Sequence, residues 1–397
     1  MAKIALLWEL GGHLGHVVRF ASVARELIQR GHCPTMVLRD TSRANEALGD
    51  LPVTYLQAPV WQGKVEGLPL ATNYTETLLH RGFLDPDKLR SLVDAWRCTY
   101  AMLEADVLVF DHAPVAQLAA HTLSTPTVRL GSSFAVTPDI SPFPPYVFWQ
   151  QNGSDHGRLL GSEARCMNVV NDVLQQLGSP ESHSLKDLFQ TDATFLSTQP
   201  EFDVYGQRNN ASYVGALVDH QLGALPKWPT GSGPKIFAYL KPKFPHLDFV
   251  LTVLSRLDAR VISYIPGLAT TISRNFESAS LSFSPTPLSL AEVSKEADYA
   301  ICHAGAGTID VFASAGVPQF LIPTQMEQMM NATRAAEAGV AMFYPQNAQP
   351  QVLQKLFKQF FSNTTLRENA KQWPISRPVP PLTERISTVC DGIENLL

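Results

Sequence analysis

The chain has 397 residues, 45% of them hydrophobic and 17% charged, with a formal net charge of -5. That length suits two domains at roughly 150 residues each, and the apolar content excludes a disordered chain. The acidic balance gives no electrostatic ground for holding DNA or RNA, so no nucleic-acid partner is expected. Five scattered cysteines (Cys33, Cys98, Cys166, Cys302, Cys390) make no Cys-x-x-Cys pair and read as reduced, structural thiols. The apolar run Ile4 to Trp8 meets Glu9 at once, too short for a signal peptide, and no run approaches the roughly 18 apolar residues of a membrane span. A cytoplasmic protein with no transmembrane segment is expected.

In chain order, KIALLWEL reads as a strand, GGHLGH as a glycine turn, and HVVRFASVARELIQRG as a helix. Val17, Phe20, Ala24, Leu27 and Ile28 fall on one helical face, and Gly31 is placed to end the helix in the left-handed region. The alternation continues through CPTMVLR, VTYLQAP, a helix from Pro86 to Glu104, ADVLVFD, a helix from Pro114, and TPTVRLGS. After a Gly/Pro/Ser-rich stretch, KIFAYLKP, ARVISYIPG, LSFSPT, YAICH, PQFLIP and AMFYP read as strands with helices between them. Strands alternating with helices predict parallel sheets covered on both faces, here twice over. The expected domains are 1–217, a linker 218–234, 235–380, and a helix 381–397 packing back toward the first domain. Ligands of such sheets bind at the carboxyl ends of the strands, so a central cleft faced by both sheets is expected.

Three places carry chemistry. His16 opens the first helix, and an imidazole there can take a proton from a hydroxyl, although a packed or capping histidine fits the same position. Asp111 ends the apolar strand ADVLVFD beside that turn; it can orient His16 as a supporting acid or simply cap the turn before Pro114. In YAICHAGAGTIDVF a strand runs into His303 and then Gly305, Ala306, Gly307 and Thr308 at a helix start, where backbone N–H groups and glycines favour a phosphate. Glu327 and Gln328 follow the next strand and match the donor and acceptor needs of a sugar.

The first turn is a poor dinucleotide fingerprint, because Leu10 stands at the first glycine position, and this disfavours a nicotinamide enzyme with Asp40 on the ribose. Asp85-Pro86-Asp87 spells Asp-x-Asp, but it does not end a strand, and Asp85 before proline is a helix cap. No metal is expected. On the acceptor side, long irregular stretches from Trp61 to Gly82 and from Ser133 to Gln150 read as binding loops, with Phe134, Phe143, Tyr146, Phe148 and Trp149 either lining an apolar pocket or packing the loop down.

Taken together, GHVVRFASVARELIQRGH resembles the opening helix of nucleotide-sugar glycosyltransferases of the GT-B fold, in the plant natural-product, macrolide and glycopeptide family. HAGAGTIDVFASAGVPQFLIPTQMEQMMNATRAAEAGV resembles that family's donor signature, most closely its bacterial branch. The resemblance implies two Rossmann-like domains and inverting transfer of a sugar from a UDP- or TDP-sugar to a hydroxyl of a small acceptor. In it His16 is the base and Asp111 its supporting acid. His303, Gly305, Gly307 and Thr308 hold the diphosphate, with Ala306 inside the loop, and Glu327 and Gln328 meet the sugar. Where plant members stack a tryptophan on the base this chain has Pro285, and Gly307 replaces an asparagine, which leaves the nucleobase to Phe283 or the backbone near Leu288. No cofactor is implied, the nucleotide-sugar being a co-substrate. Two alternatives keep the fold: a nucleotide-sugar epimerase or hydrolase, and a catalytically silent nucleotide-sugar-binding partner protein.

Overall fold

The structure, a computed structural model, describes residues 1–12, 14–42, 44–150, 155–218, 223–345 and 348–397. His13 of the glycine turn and residues 219–222 of the expected linker lie outside the described residues. Contacts divide the chain into two compact units, one of residues 1–200, 205–218 and 382–397, the other of 201–204 and 219–381.

The first unit is built on a seven-stranded sheet of β1 (Lys3–Trp8), β2 (Cys33–Leu38), β3 (Thr54–Gln57), β4 (Val107–Asp111), β5 (Thr127–Gly131), β6 (Ala193–Leu196) and β7 (Ser212–Tyr213), in the order β3-β2-β1-β4-β5-β6-β7. Its strand pairs are parallel. A parallel strand covered on both faces must be apolar throughout, and every residue of VLVFD in β4 is buried. The helix Gly15–Gln29 lays Val17, Phe20, Ala21, Val23, Ala24 and Leu27 into the core, and Gly31 ends it at φ 85°, in the left-handed region as its position predicts. The C-terminal helix Leu382–Glu394 buries Ile386, Val389, Cys390 and Ile393 in that same core. Burial at about 1.5–3 kcal/mol per side chain outweighs what exposed ion pairs supply. Asp391 and Glu394 nonetheless accept from Arg30 at 2.5 and 2.6 Å.

The second unit has a six-stranded parallel sheet of β8 (Lys235–Tyr239), β9 (Arg260–Tyr264), β10 (Leu281–Phe283), β11 (Tyr299–Cys302), β12 (Gln319–Leu321) and β13 (Ala341–Phe343), ordered β10-β9-β8-β11-β12-β13. Phe320, Phe357 and Phe360 fill one side of it. Between 132 and 217 the structure adds the long helix His156–Gln176 and the short strands β6 and β7, which the strand-helix alternation does not bring out. Glu201–Val204 joins the second unit, with Phe202 stacked on Trp373 at 5.0 Å. Among the described residues no helix is long and apolar enough to cross a membrane. The helix Pro86–Leu103 begins as its sequence indicates: Asp85 Oδ1 accepts from the Lys88 amide at 3.1 Å and Pro86 occupies the first turn.

Candidate active site

β1 and β4 are parallel neighbours with Trp8 opposite Asp111, so the turn after β1 and the carboxylate ending β4 emerge together. His16, the second residue of the following helix, places Nδ1 2.9 Å from Asp111 Oδ2. Asp111 has no exposed surface. Burial alone would raise its pKa, but the charges of Arg19 and His16 overrule it and hold the carboxyl at about 2. Arg19 lies one helical turn beyond His16 and donates Nη1 to the same Oδ2. One carboxylate oxygen thus serves a cation and the imidazole at once. Sequence reasoning missed Arg19, whose partner is 92 residues away along the chain.

The imidazole is held from other sides as well. The Trp8 ring stacks on His16 at 5.0 Å and 16°, while Trp8 Nε1 donates to the Leu10 carbonyl at 2.6 Å. Such a stack adds about 0.5–1.5 kcal/mol to the burial it brings. Two glycines make the room. A Cβ on Gly11, at φ 87°, would lie 2.8 Å from His16 Nε2, and one on Gly131 would lie 2.9 Å from Asp111 Oδ1. Nε2 has no hydrogen-bond partner among the described residues, and Nδ1 meets Asp111 at ion-pair distance without a hydrogen-bond geometry.

His112 stands 6.2 Å from His16 at φ 52°, a left-handed conformation that a non-glycine residue holds only under local constraint. Burial and the neighbouring His16 push its pKa down to about 3, so it stays neutral. Glu9, which follows β1, is fully buried and accepts from the amides of Val115 and Ala116 at 2.8 and 3.2 Å. Burial nevertheless raises its pKa to about 8. Between about pH 4.5 and 8 the folded chain therefore binds a proton here that the unfolded chain does not, and stability falls as pH rises through that window. Glu9→Gln, which keeps an acceptor oxygen without the charge, is expected to gain stability over the parent between pH 5 and 8, by at most about 1.4 kcal/mol per pH unit. Thermal melts of both proteins across that range check it.

The aromatic loop divides. Phe134 is half-buried, 6.1 Å edge-to-face from His112, and so sits beside the dyad. Phe143 has no exposed surface, stacking on Phe189 at 6.2 Å, and Tyr146 is buried with its hydroxyl 2.7 Å from that of Thr77. These two pack the loop rather than line a surface, because their rings are consumed by neighbours. Phe148 and Trp149 are half-buried and meet edge-to-face at 5.0 Å. The two long stretches are tied together, Asn73 Nδ2 donating to the Phe143 carbonyl at 2.9 Å and the Tyr146 amide to Thr72 at 2.8 Å.

In the second unit β11 delivers His303 and a loop into the helix Ala306–Ser314. The N-cap is Gly305, with no side-chain cap, and Gly305 to Thr308 are exposed or half-buried, which leaves orphan amides at a helix start. Ala304 sits at φ 58°, its carbonyl taking Asn331 Nδ2 at 3.0 Å. His303 departs from the sequence expectation of a diphosphate donor. Its Nδ1 lies 2.6 Å from the Ile322 carbonyl, and Nε2 accepts the Lys241 amide at 2.7 Å, so its one N–H is committed to the carbonyl. Burial pushes its pKa down to about 4, which keeps the ring neutral in that arrangement. His303 fastens the loops after β8, β11 and β12 to one another.

Gln328 Oε1 is likewise engaged, by the amide and hydroxyl of Thr324 at 2.9 Å each, while Glu327 is half-buried. Lys241, which the sequence did not bring forward, sends Nζ to Thr324 Oγ1 at 3.3 Å and feels the charge of Glu327. Phe283 is half-buried at the end of β10, against the second unit's core. The Leu288 side chain is buried, and the backbone on either side of it pairs with Ala224: the Ala224 amide donates to Pro287 and the Ser289 amide to Ala224, both at 2.9 Å.

Residues 267–382 match the glycosyltransferase family 28 C-terminal domain. A stretch of 60 residues, 14% of this chain, is 43% identical to the UDP-N-acetylglucosamine--N-acetylmuramyl-(pentapeptide) pyrophosphoryl-undecaprenol N-acetylglucosamine transferase of Methylococcus capsulatus, and spans only 17% of that relative. Whole-chain likeness is to solved structures. CalG4, the calicheamicin glycosyltransferase, superposes with a TM-score of 0.73 at 18% identity, covering 100% of this chain and 98% of that one. The glycotransferase of kitacinnamycin gives 0.71 at 16% over 100% and 99%, and the glycosyltransferase VinC in complex with DTDP gives 0.64 at 16% over 99% and 100%. At these identities the likeness establishes the fold, and the domain match covers the C-terminal part of the chain. Residues 267–382 carry a glycosyltransferase family 28 C-terminal domain, and the chain as a whole has the GT-B fold of these glycosyltransferase structures.

Proposed function

We propose that the protein transfers a sugar, with inversion, from a UDP- or TDP-sugar to a hydroxyl of a small apolar or aromatic acceptor. The observation that carries this reading is the His16–Asp111 contact at 2.9 Å, which leaves Nε2 open. Nε2 takes the proton from the acceptor hydroxyl as its oxygen attacks the anomeric carbon. The bond to the diphosphate breaks and the nucleoside diphosphate leaves with the electron pair. Asp111 stabilises the imidazolium formed in that step, and Trp8 and Gly11 keep the ring in place. Phe134, beside His112, offers an apolar face to the acceptor.

On the donor side the uncapped helix start at Gly305 to Thr308 supports diphosphate binding through backbone amides, and Lys241 adds a cation beside Glu327. His303 acts through the loops it joins. VinC, of the same fold, was solved in complex with DTDP, which favours a pyrimidine nucleotide here. Asp85 is occupied as a helix cap, and a reaction that needs no divalent metal follows from charge stabilisation by amides and Lys241.

Calorimetric titration with UDP, TDP, GDP and NAD in metal-free buffer tests the donor half. UDP or TDP is expected to bind with or without chelator, and His303→Ala to weaken that binding about tenfold or more by releasing the Lys241 and Ile322 contacts. Binding of NAD alone, or of none, would end the reading. A strict need for added divalent metal would return Asp85 and Asp87 to consideration.

A further inference from the structure

Directly after Asp111 the chain places a second histidine whose polar atoms the dyad does not use. His112 is 9% exposed, and its ring makes no hydrogen bond among the described residues, Nε2 being buried without a partner. A neutral imidazole carries one N–H and one acceptor lone pair, so both remain unspent. Buried polar groups are ordinarily satisfied, and an exception calls for a cause. The backbone is constrained as well. At φ 52° it occupies the left-handed region, and the Leu10 amide fixes it there by donating to the His112 carbonyl at 2.8 Å. Tyr74, with ring centroids 5.7 Å apart, and Phe134, edge-to-face at 6.1 Å, pack against the ring.

Gly11 shows where this ring faces. A Cβ there would stand 2.8 Å from His16 Nε2 and 3.2 Å from His112 Nδ1. Both nitrogens therefore look onto the same glycine, no further apart than one oxygen can bridge with two hydrogen bonds of about 2.7–3.2 Å. Gly12 beside it is exposed, and 14% of the His16 side chain is open to solvent. The tautomer follows from burial. A proton on Nε2 would be a buried donor without an acceptor, the rarer kind of orphan, whereas a proton on Nδ1 points toward Gly11. With its pKa pushed down to about 3 by burial and by His16, the ring does not compete for a second proton.

We propose that His112 is a second catalytic residue of the transfer, donating Nδ1–H to the same acceptor oxygen whose proton His16 Nε2 removes. This deepens the transfer reading and rests on it. The acceptor O–H bond breaks, an N–H bond forms on His16, and the oxygen keeps the electron pair with which it attacks the anomeric carbon. Negative charge gathers on that oxygen as the proton leaves, and a fixed neutral donor stabilises it. His112 keeps its own proton throughout.

The test is steady-state transfer from UDP-glucose and TDP-glucose to a graded series of substituted phenols, from phenol to 4-nitrophenol, by the parent, His112→Gly and His112→Asn. Glycine and asparagine both accept a left-handed φ, so neither variant strains the turn, and Asn retains an N–H donor near the place of Nδ1. In His112→Gly, kcat/KM for phenol is expected to fall about 10²-fold, as for loss of one oxyanion donor, and that for 4-nitrophenol, whose oxygen bears the charge unaided, by about tenfold or less. His112→Asn is expected to stay within about tenfold of the parent on both. Proton–nitrogen correlation spectra of the histidine rings add a readout apart from turnover, with His112 expected as the neutral tautomer protonated at Nδ1. The proposal is overturned if His112→Gly transfers as the parent does, if both phenols lose equally, if His112→Asn is impaired as much as His112→Gly, or if the ring is protonated at Nε2. His16→Ala, run alongside, keeps the two readings apart. With His16→Ala inactive those outcomes remove His112 alone, whereas transfer at the parent rate in His16→Ala removes the mechanism on which the proposal rests.

Discussion

His16→Ala is expected to lower sugar transfer by about 10²–10⁴-fold while leaving nucleoside diphosphate affinity unchanged. In the proposed mechanism the loss belongs to the chemical step, because the substitution removes the nitrogen assigned to the acceptor's proton, whereas the loop assigned to the diphosphate belongs to the second unit. Gly11→Ala offers an independent route to the same defect. Its new Cβ, 2.8 Å from Nε2 and on a backbone at φ 87°, must displace either the ring or the turn. Turnover is therefore expected to fall although His16 is still present. Steady-state kinetics with a saturating donor, alongside nucleotide titration, separates the outcomes. Transfer at the parent rate in His16→Ala would remove His16 from the mechanism, and loss of nucleotide binding would mean the helix start had been disturbed instead.

Much of the fold was legible because parallel strands covered on both faces must be apolar end to end, and such runs stand out in KIALLW, VLVFD and YAIC. The meeting of His16 and Asp111 was legible for the same reason, since it needs only β1 and β4 to be neighbours. The region from 132 to 217 was less so. Its strands have four and two residues, too short for a period to register, and its loops are shaped by contacts such as Asn73 to Phe143 that join distant segments. Arg19 was invisible for a related reason. On its own helix it is one polar residue beside an apolar stripe, and only the arrival of β4 gives it a partner. His303 shows the opposite limit: its place in the loop was readable, but the engagement of both ring nitrogens depends on Lys241 and Ile322, which arrive from two other strand ends.

Asp111→Asn is expected to cost both activity and stability, and the two can be separated. An amide at this position carries no charge to stabilise the imidazolium, so transfer should fall by orders of magnitude. It also leaves Arg19, 8% exposed, without its counter-charge, a kind of loss that typically costs about 3–5 kcal/mol. The pH dependence identifies the source. The Asp111 carboxyl is held at about 2 in the fold, below its unfolded value near 4, so its stabilisation is fully present above about pH 4 and is lost as pH falls toward 2. The gap in stability between parent and variant should accordingly be full at neutral pH and shrink in acid. Adding Arg19→Met removes the stranded cation while keeping a long apolar side chain, and the double variant is expected to regain much of the stability without regaining transfer. Urea melts and initial rates on the two single variants and the double variant measure this as a cycle. Recovery of both properties together would make the Arg19–Asp111 pair purely structural, whereas recovery of stability alone places the Asp111 charge in the reaction.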